Sequence, residues 1–233
     1  MEHILLLHGA LGSKRQLKPL QVRVSGLAID LSGHGGRAIP SEGIRFEQFL
    51  TDIDDAFAAN GWSRADLFGY SMGGYAALLY ASLFPQRVKS VVTLGTKLVW
   101  TEEGLQKELR KLDPAVMIAK VPAFAKALAD VHGRDRWRDV VVAIAQSMTD
   151  LARTPLLTDE LVARIQCPVL CCVGEGDTTA VPDDTRLFAA RLPNASVLVL
   201  PNTRHPFDEV DLDMLAPLLQ KHWSQGDQRP MNR

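Results

Sequence analysis

Cysteine is scarce in this chain. Its 233 residues hold three, Cys167, Cys171 and Cys172. An odd number clustered on one predicted strand builds no disulfide framework. They read as small buried hydrophobes in a reducing, cytoplasmic compartment. No second Cys or His cluster has ligand spacing, which argues against a metal site. Excess charge is missing too: 26 Lys plus Arg stand against 27 Asp plus Glu. No basic stripe points to nucleic acid, and no polybasic cluster points to a membrane. No apolar run approaches the roughly 18 residues that a bilayer span needs. Met1-Glu2-His3 lacks the charged start of a signal peptide. The segment Gly33-His34-Gly35-Gly36 lacks the Lys-Ser/Thr of a P-loop and the spacing of a dinucleotide fold. The expected partner is therefore a small-molecule substrate.

What is present is alternation. Short runs rich in Val, Leu and Ile read as strands at His3–Leu7, Val24–Asp30, Ala65–Phe68, Val88–Leu94, Val169–Val173 and Ser196–Leu200. Helices are expected between them at Arg45–Asn60, Met72–Phe84, Asp184–Leu192 and Asp211–Trp223. Phe46, Phe49, Leu50, Ile53 and Phe57 recur at helical spacing and form one apolar stripe. Asn60-Gly61 is a helix stop. The pattern predicts an α/β fold with a parallel sheet. Residues 96–166 break it with helix-like runs at Glu102–Lys111, Ala115–Ala129 and Trp137–Leu151, divided by prolines and Gly133. They read as a cap of three or four short helices on a core of residues 1–95 and 167–233. The polar tail from Ser224 to Arg233 is expected to fray.

Three polar segments follow strands in a telling order. Gly69-Tyr70-Ser71-Met72-Gly73-Gly74 sits between an apolar run and a helix-like run. Small residues two before and two after Ser71 suit a sharp strand–turn–helix corner that holds the hydroxyl out for attack. Gly174-Glu175-Gly176-Asp177 follows a later strand, and Pro201-Asn202-Thr203-Arg204-His205 follows the last. Serine, then acid, then histidine is the order of a nucleophile triad. Serine needs a base, and histidine titrates near neutrality. Glu175 is the local rival of Asp177 as the acid.

On these motifs the chain resembles the α/β-hydrolase superfamily over nearly its whole length. Asp30-Leu31-Ser32-Gly33-His34-Gly35 is similar to that family's Asp-x-Pro-Gly-His-Gly turn, with Ser32 in the proline's place at some cost in rigidity. Gly-x-x-Asp followed by Val181-Pro182 is similar to its acid loop. The first strand already carries His8-Gly9, so a sheet without the family's two usual leading strands is expected. The resemblance implies an α/β-hydrolase fold with a reduced, mostly parallel sheet of about six strands flanked by helices and a helical cap insertion.

It further implies Ser71 as nucleophile, His205 as base and Asp177 as its orienting acid. The backbone N–H groups of Ala10 and Met72 would form the oxyanion hole, and His8 would brace the loop. Leu11, Trp100, Trp137 and Arg204 are candidate substrate contacts; plain packing is the other reading of the two tryptophans. The implied activity is hydrolysis of a small ester or thioester through an acyl-enzyme, with no metal or organic cofactor. Serine at the nucleophile position argues against epoxide hydrolases and haloalkane dehalogenases. Two alternatives stand. The His-Gly and Gly-Tyr-Ser motifs also resemble the pyruvate-eliminating enzymes of menaquinone synthesis that make 2-succinyl-6-hydroxy-2,4-cyclohexadiene-1-carboxylate. Their polyanionic substrate would call for arginines in the cleft, with Arg134, Arg136, Arg138 and Arg153 as candidates. The other alternative is a non-catalytic ligand-binding member of the fold.

Overall fold

The computed structural model describes residues 3–226, with side chains through residue 224. Its six strands are β1 (Ile4–Leu7), β2 (Leu27–Ile29), β3 (Ala65–Tyr70), β4 (Val88–Leu94), β5 (Val169–Gly174) and β6 (Ala195–Leu200). They form one sheet in the order β2-β1-β3-β4-β5-β6, and every pair is parallel. Parallel pairing needs crossovers, so both faces are covered and β3 is buried along its whole length. The helices are α1 (Lys18–Val24), α2 (Phe46–Ala59), α3 (Met72–Leu83), α4 (Glu102–Leu109), α5 (Pro114–Lys120), α6 (Pro122–His132), α7 (Trp137–Arg153), α8 (Asp159–Ala163), α9 (Pro182–Ala189) and α10 (Leu212–Gly226).

Side chains alternate across the sheet. Leu5, Leu7 and Leu67 pack in one core with Phe46, Phe49, Ile53 and Phe57 of α2 and much of α3. Ile4, Leu6 and Phe68 pack in the other with Leu17 and Leu20 on one side and Leu215, Leu219 and Trp223 of α10 on the other. That two-residue period is the geometry of a pleated strand covered twice. All three cysteines are free thiols, and Cys171 and Cys172 are fully buried, one in each core. Burial pushes the Cys171 thiol up to about 11.

Several expectations are corrected. Val24 ends a helix instead of starting a strand, because Leu17, Leu20 and Val24 form a buried helical stripe. β2 is left with three residues. The stretch 115–129 is two helices, since Pro122 has no N–H to continue the first and opens the second. With α8 the segment 96–166 therefore holds five helices. α5, α6 and the start of α7 share a small cluster of their own (Met117, Ala125, Leu128, Trp137, Val141). The rest of α7, together with α8, joins the main core through Ile144, Leu151 and Val162. At the stop after α2, Gly61 has φ +66°. α10 runs through Gly226, past the expected start of fraying, and the remainder of that tail lies outside the described residues. Among the described residues no helix is long and apolar enough to cross a membrane.

Candidate active site

β3 runs straight into α3 with only Ser71 between them. Ser71 has φ +51° and ψ −116°, a conformation that costs a non-glycine residue about 1–3 kcal/mol. The corner is held by its own backbone. Ser71 N–H donates to the Leu94 carbonyl at 2.8 Å, and its carbonyl accepts from Gly74 N–H and from Thr96 Oγ1, each at 3.0 Å. The two flanking glycines are required by contact. A Cβ on Gly69 would overlap the backbone of Gly73, and one on Gly73 would overlap the Leu7 carbonyl. The Ser71 hydroxyl has no hydrogen-bond partner among the described residues, so the expected bond between Ser71 and His205 is not formed in this structure. Hydrogen bonds of this kind are often long without substrate and tighten in the complex.

Asp177 and His205 meet. His205 Nδ1 lies 2.7 Å from Asp177 Oδ2, on a carboxylate that is almost fully buried. The other carboxylate oxygen accepts from the N–H groups of Thr179 and Ala180 at 2.8 Å each, which fixes its direction. Such an acceptor selects the imidazole tautomer with hydrogen on Nδ1 and leaves Nε2 free to take a proton. The rival Glu175 is exposed and accepts instead from Asn202 N–H. Tyr70 Oη donates to the His205 carbonyl at 2.8 Å and ties the histidine loop to the elbow.

Sequence reading missed Gly95. Its φ is +59°, and a Cβ there would stand 3.2 Å from Asp177 Oδ2 and 3.3 Å from His205 Nδ1. Gly95 floors the Asp177–His205 pair, yet in sequence it is only a glycine just after β4.

The loop after β1 carries Ala10. No hydrogen bond among the described residues uses the N–H of Ala10 or of Met72, so both remain available. The peptide that holds Ala10 N–H is fixed through its carbonyl, that of Gly9, which accepts from Gly12 N–H at 3.0 Å and from His8 Nδ1 at 2.8 Å. Leu31 N–H donates to His8 Nε2, so His8 is neutral with hydrogen on Nδ1. Burial holds its pKa down at about 4. His34 and His132 complete a cluster of three inclined rings, with His34 centroids 4.9 Å from His8 and 5.9 Å from His132. Burial lowers both of their pKa values as well. His132 lies at the end of α6. It accepts from Gly35 N–H through Nδ1 and donates to the Leu11 carbonyl through Nε2, tying the insertion to two core loops. Leu11 itself has φ +58°.

The Ser32 turn gains contacts that a proline could not make. Its N–H and hydroxyl both donate to the buried Asp52 carboxylate, at 2.6 and 2.9 Å, and Arg37 pairs with the same carboxylate. Proline has no N–H to offer there.

Two cavities meet at Ser71. The larger, about 650 Å³, is lined by Ala10, Leu11, Ser71, Arg204 and His205, with Met117 and Phe124 from the insertion. The smaller, about 50 Å³, is lined by Ser71, Met72, Phe46, Tyr75, Trp100 and Leu151 among others. Leu11 and Arg204 thus line the large cavity and Trp100 the small one. The Arg204 guanidinium is exposed and engaged by both oxygens of Glu209. Trp137 lines neither: it is buried in the insertion's own cluster, under the Arg138 guanidinium. None of Arg134, Arg136, Arg138 and Arg153 lines either cavity. Arg136 donates to the Gly36 and Arg37 carbonyls. Arg153 borders a separate cavity beside α2.

Comparison with known proteins agrees with this architecture. The family model for the alpha/beta hydrolase fold matches residues 2–161. A Bacillus subtilis protein with the provisional name 2-succinyl-6-hydroxy-2,4-cyclohexadiene-1-carboxylate synthase is 26% identical, over 88% of this chain and 84% of its own. The pimeloyl-[acyl-carrier protein] methyl ester esterase of Chromobacterium violaceum is 27% identical, over 92% of this chain and 89% of its own. The structure of a thermophilic esterase from Thermogutta terrifontis superposes with a TM-score of 0.77 at 20% identity, covering 97% of this chain and 90% of that one, a likeness of fold. The family match spans well over half of the chain, and the sheet, the elbow and the loop order agree with it: the chain belongs to the alpha/beta hydrolase fold family.

Proposed function

We propose that this protein is a serine hydrolase that cleaves a small ester or thioester through an acyl-enzyme. The observation that carries the reading is the 2.7 Å pair of His205 and Asp177 on the same cleft as the strained Ser71. Ser71 Oγ attacks the carbonyl carbon and its proton passes to His205 Nε2. Asp177 holds the ring and stabilises the imidazolium. The N–H groups of Ala10 and Met72 receive the oxyanion, and losing one such donor typically costs about 3 kcal/mol. The start of α3 adds a positive helix end beside Met72. Residues 96–166 serve as the cap over a core of 1–95 and 167–233. The unpaired cysteines favour a cytoplasmic site of action.

The lyase reading keeps one supporting observation, the similarity to the Bacillus subtilis protein. Against it, the four arginines suited to a polyanion lie away from Ser71. A fluorophosphonate probe and short p-nitrophenyl esters separate the readings. The expected result is labelling and turnover by the native protein. Ser71→Ala should abolish labelling and lower kcat/KM by about 10⁴-fold or more. Labelling without ester turnover would favour the lyase. No labelling of folded protein would favour a ligand-binding role.

A further inference from the structure

We infer that the substrate is asymmetric about its scissile bond: a short, uncharged acyl group on a bulky alcohol or thiol. The inference rests on the serine hydrolase reading and adds to it the direction in which the substrate lies. When the C–O or C–S bond of the tetrahedral intermediate breaks, the departing oxygen or sulfur takes the proton that His205 Nε2 received from Ser71. Water then attacks the acyl carbon and gives a proton to His205; the bond from that carbon to Ser71 Oγ breaks, Oγ takes the proton back, and the carboxylic acid departs. The leaving group must therefore lie within hydrogen-bond reach of His205.

His205 borders only the large cavity. The leaving group belongs there, in about 650 Å³ of mixed surface. With the oxyanion directed at the two N–H groups, the acyl substituent takes the remaining direction, past Met72 into the pocket of about 50 Å³. A dry engineered cavity of about 150 Å³ binds benzene. A pocket a third of that size suits an acetyl or propionyl chain.

Its core-side walls cannot easily yield. Phe46, Tyr75, Ile144 and Leu151 are all nearly fully buried in the main core. Tyr75 packs on Phe46 with ring centroids 5.0 Å apart, and its hydroxyl accepts from the N–H groups of Leu156 and Leu157. Close-packed interiors of this kind resist insertion of extra methylenes. The two charged residues that line the pocket, Glu108 and Lys97, are opposite in sign, so the lining carries no net charge. Glu108 pairs with Lys111 at 2.9 Å, and Lys97 donates to the Thr179 carbonyl while lying over the Trp100 ring. A neutral acyl group fits this lining better than a carboxylate.

The large cavity is built differently. Phe124 on its rim is half exposed, and Met117, which the small pocket lacks, is an unbranched side chain that adapts to a varied occupant.

The test uses p-nitrophenyl acetate, butyrate, octanoate and decanoate, which share one leaving group, together with 2-naphthyl acetate. The expected kcat/KM falls by at least about tenfold from acetate to octanoate. The larger naphthyl leaving group is expected to be accepted without such a loss. Leu151→Ala should move the preferred length toward butyrate or beyond. The native profile stands by itself if that variant does not fold. A flat profile, or a preference for octanoate or decanoate, overturns the inference and leaves the hydrolase reading intact. Failure to hydrolyse every ester sinks the hydrolase reading instead.

Discussion

The rim of the sheet and the helical insertion are held in place by different means. At the rim, position is set by backbone. Ser71 is fixed by hydrogen bonds to its own N–H and carbonyl, and Asp177 by two loop N–H groups. The Ala10 peptide is anchored through the Gly9 carbonyl. The insertion is tied down by side chains. His132 reaches Leu11 and Gly35, Arg136 reaches Gly36 and Arg37, and Lys97 and Lys107 reach the carbonyls of Thr179 and Thr178. The difference teaches where precision is needed. A reacting group loses rate for displacements of about 1 Å, and strand ends and tight turns supply the precision that the proposed chemistry would need. Groups that shape a binding space tolerate more, and helices tethered by long side chains suffice.

The largest expected effect breaks the rim. Asp177→Asn preserves size but favours the wrong imidazole tautomer, and kcat should fall by about 10⁴-fold. Because the change is isosteric, the midpoint of urea unfolding should move little by comparison. Equal losses of activity and stability would show that Asp177 acts mainly as a structural carboxylate.

The next effect is read at the seam between the two regions, where His8, His34 and His132 are buried together. Burial lowers all three pKa values, so the folded state favours the neutral rings. Below the unfolded value near 6.5 the unfolded chain binds more protons than the folded one. Stability is therefore complete above that pH and declines as pH falls toward the folded values. His8 alone, at about 4 when folded, should cost about 2 kcal/mol between pH 7.5 and 5. Urea unfolding at the two pH values measures this, and an unchanged free energy would mean that the rings are not held neutral.

The smallest expected effect separates backbone from side chain within the rim. Met72→Ala leaves the N–H at the start of α3 in place. Turnover of p-nitrophenyl acetate should stay within about threefold of native, well short of the loss expected when an oxyanion donor is removed. A loss of about 100-fold would instead give the Met72 side chain a direct part in positioning the carbonyl.

Much of the rim was legible because its requirements are local. Glycine at 69 and 73 is demanded by contacts a few residues away, and such spacing survives in a one-dimensional reading. The meeting of Asp177 with His205 was legible through their register behind apolar strands. The insertion was less legible. Proline at 122 divides a run that helical spacing alone left continuous. Val24 prefers strands by type yet follows a helical stripe. Trp137 could be packing or pocket in sequence, and only its burial among Met117, Leu128 and Val141 places it.

By itself the sequence determined the sheet, the elbow and the order of its three polar loops, because alternation of apolar runs and glycine spacing are properties of neighbouring residues. That Gly95 floors the Asp177–His205 pair, that His132 latches the insertion to the core, and that the two cavities at Ser71 differ so widely in size could be seen only in three dimensions. These depend on contacts between residues distant along the chain, whose distances are fixed only when the cores close.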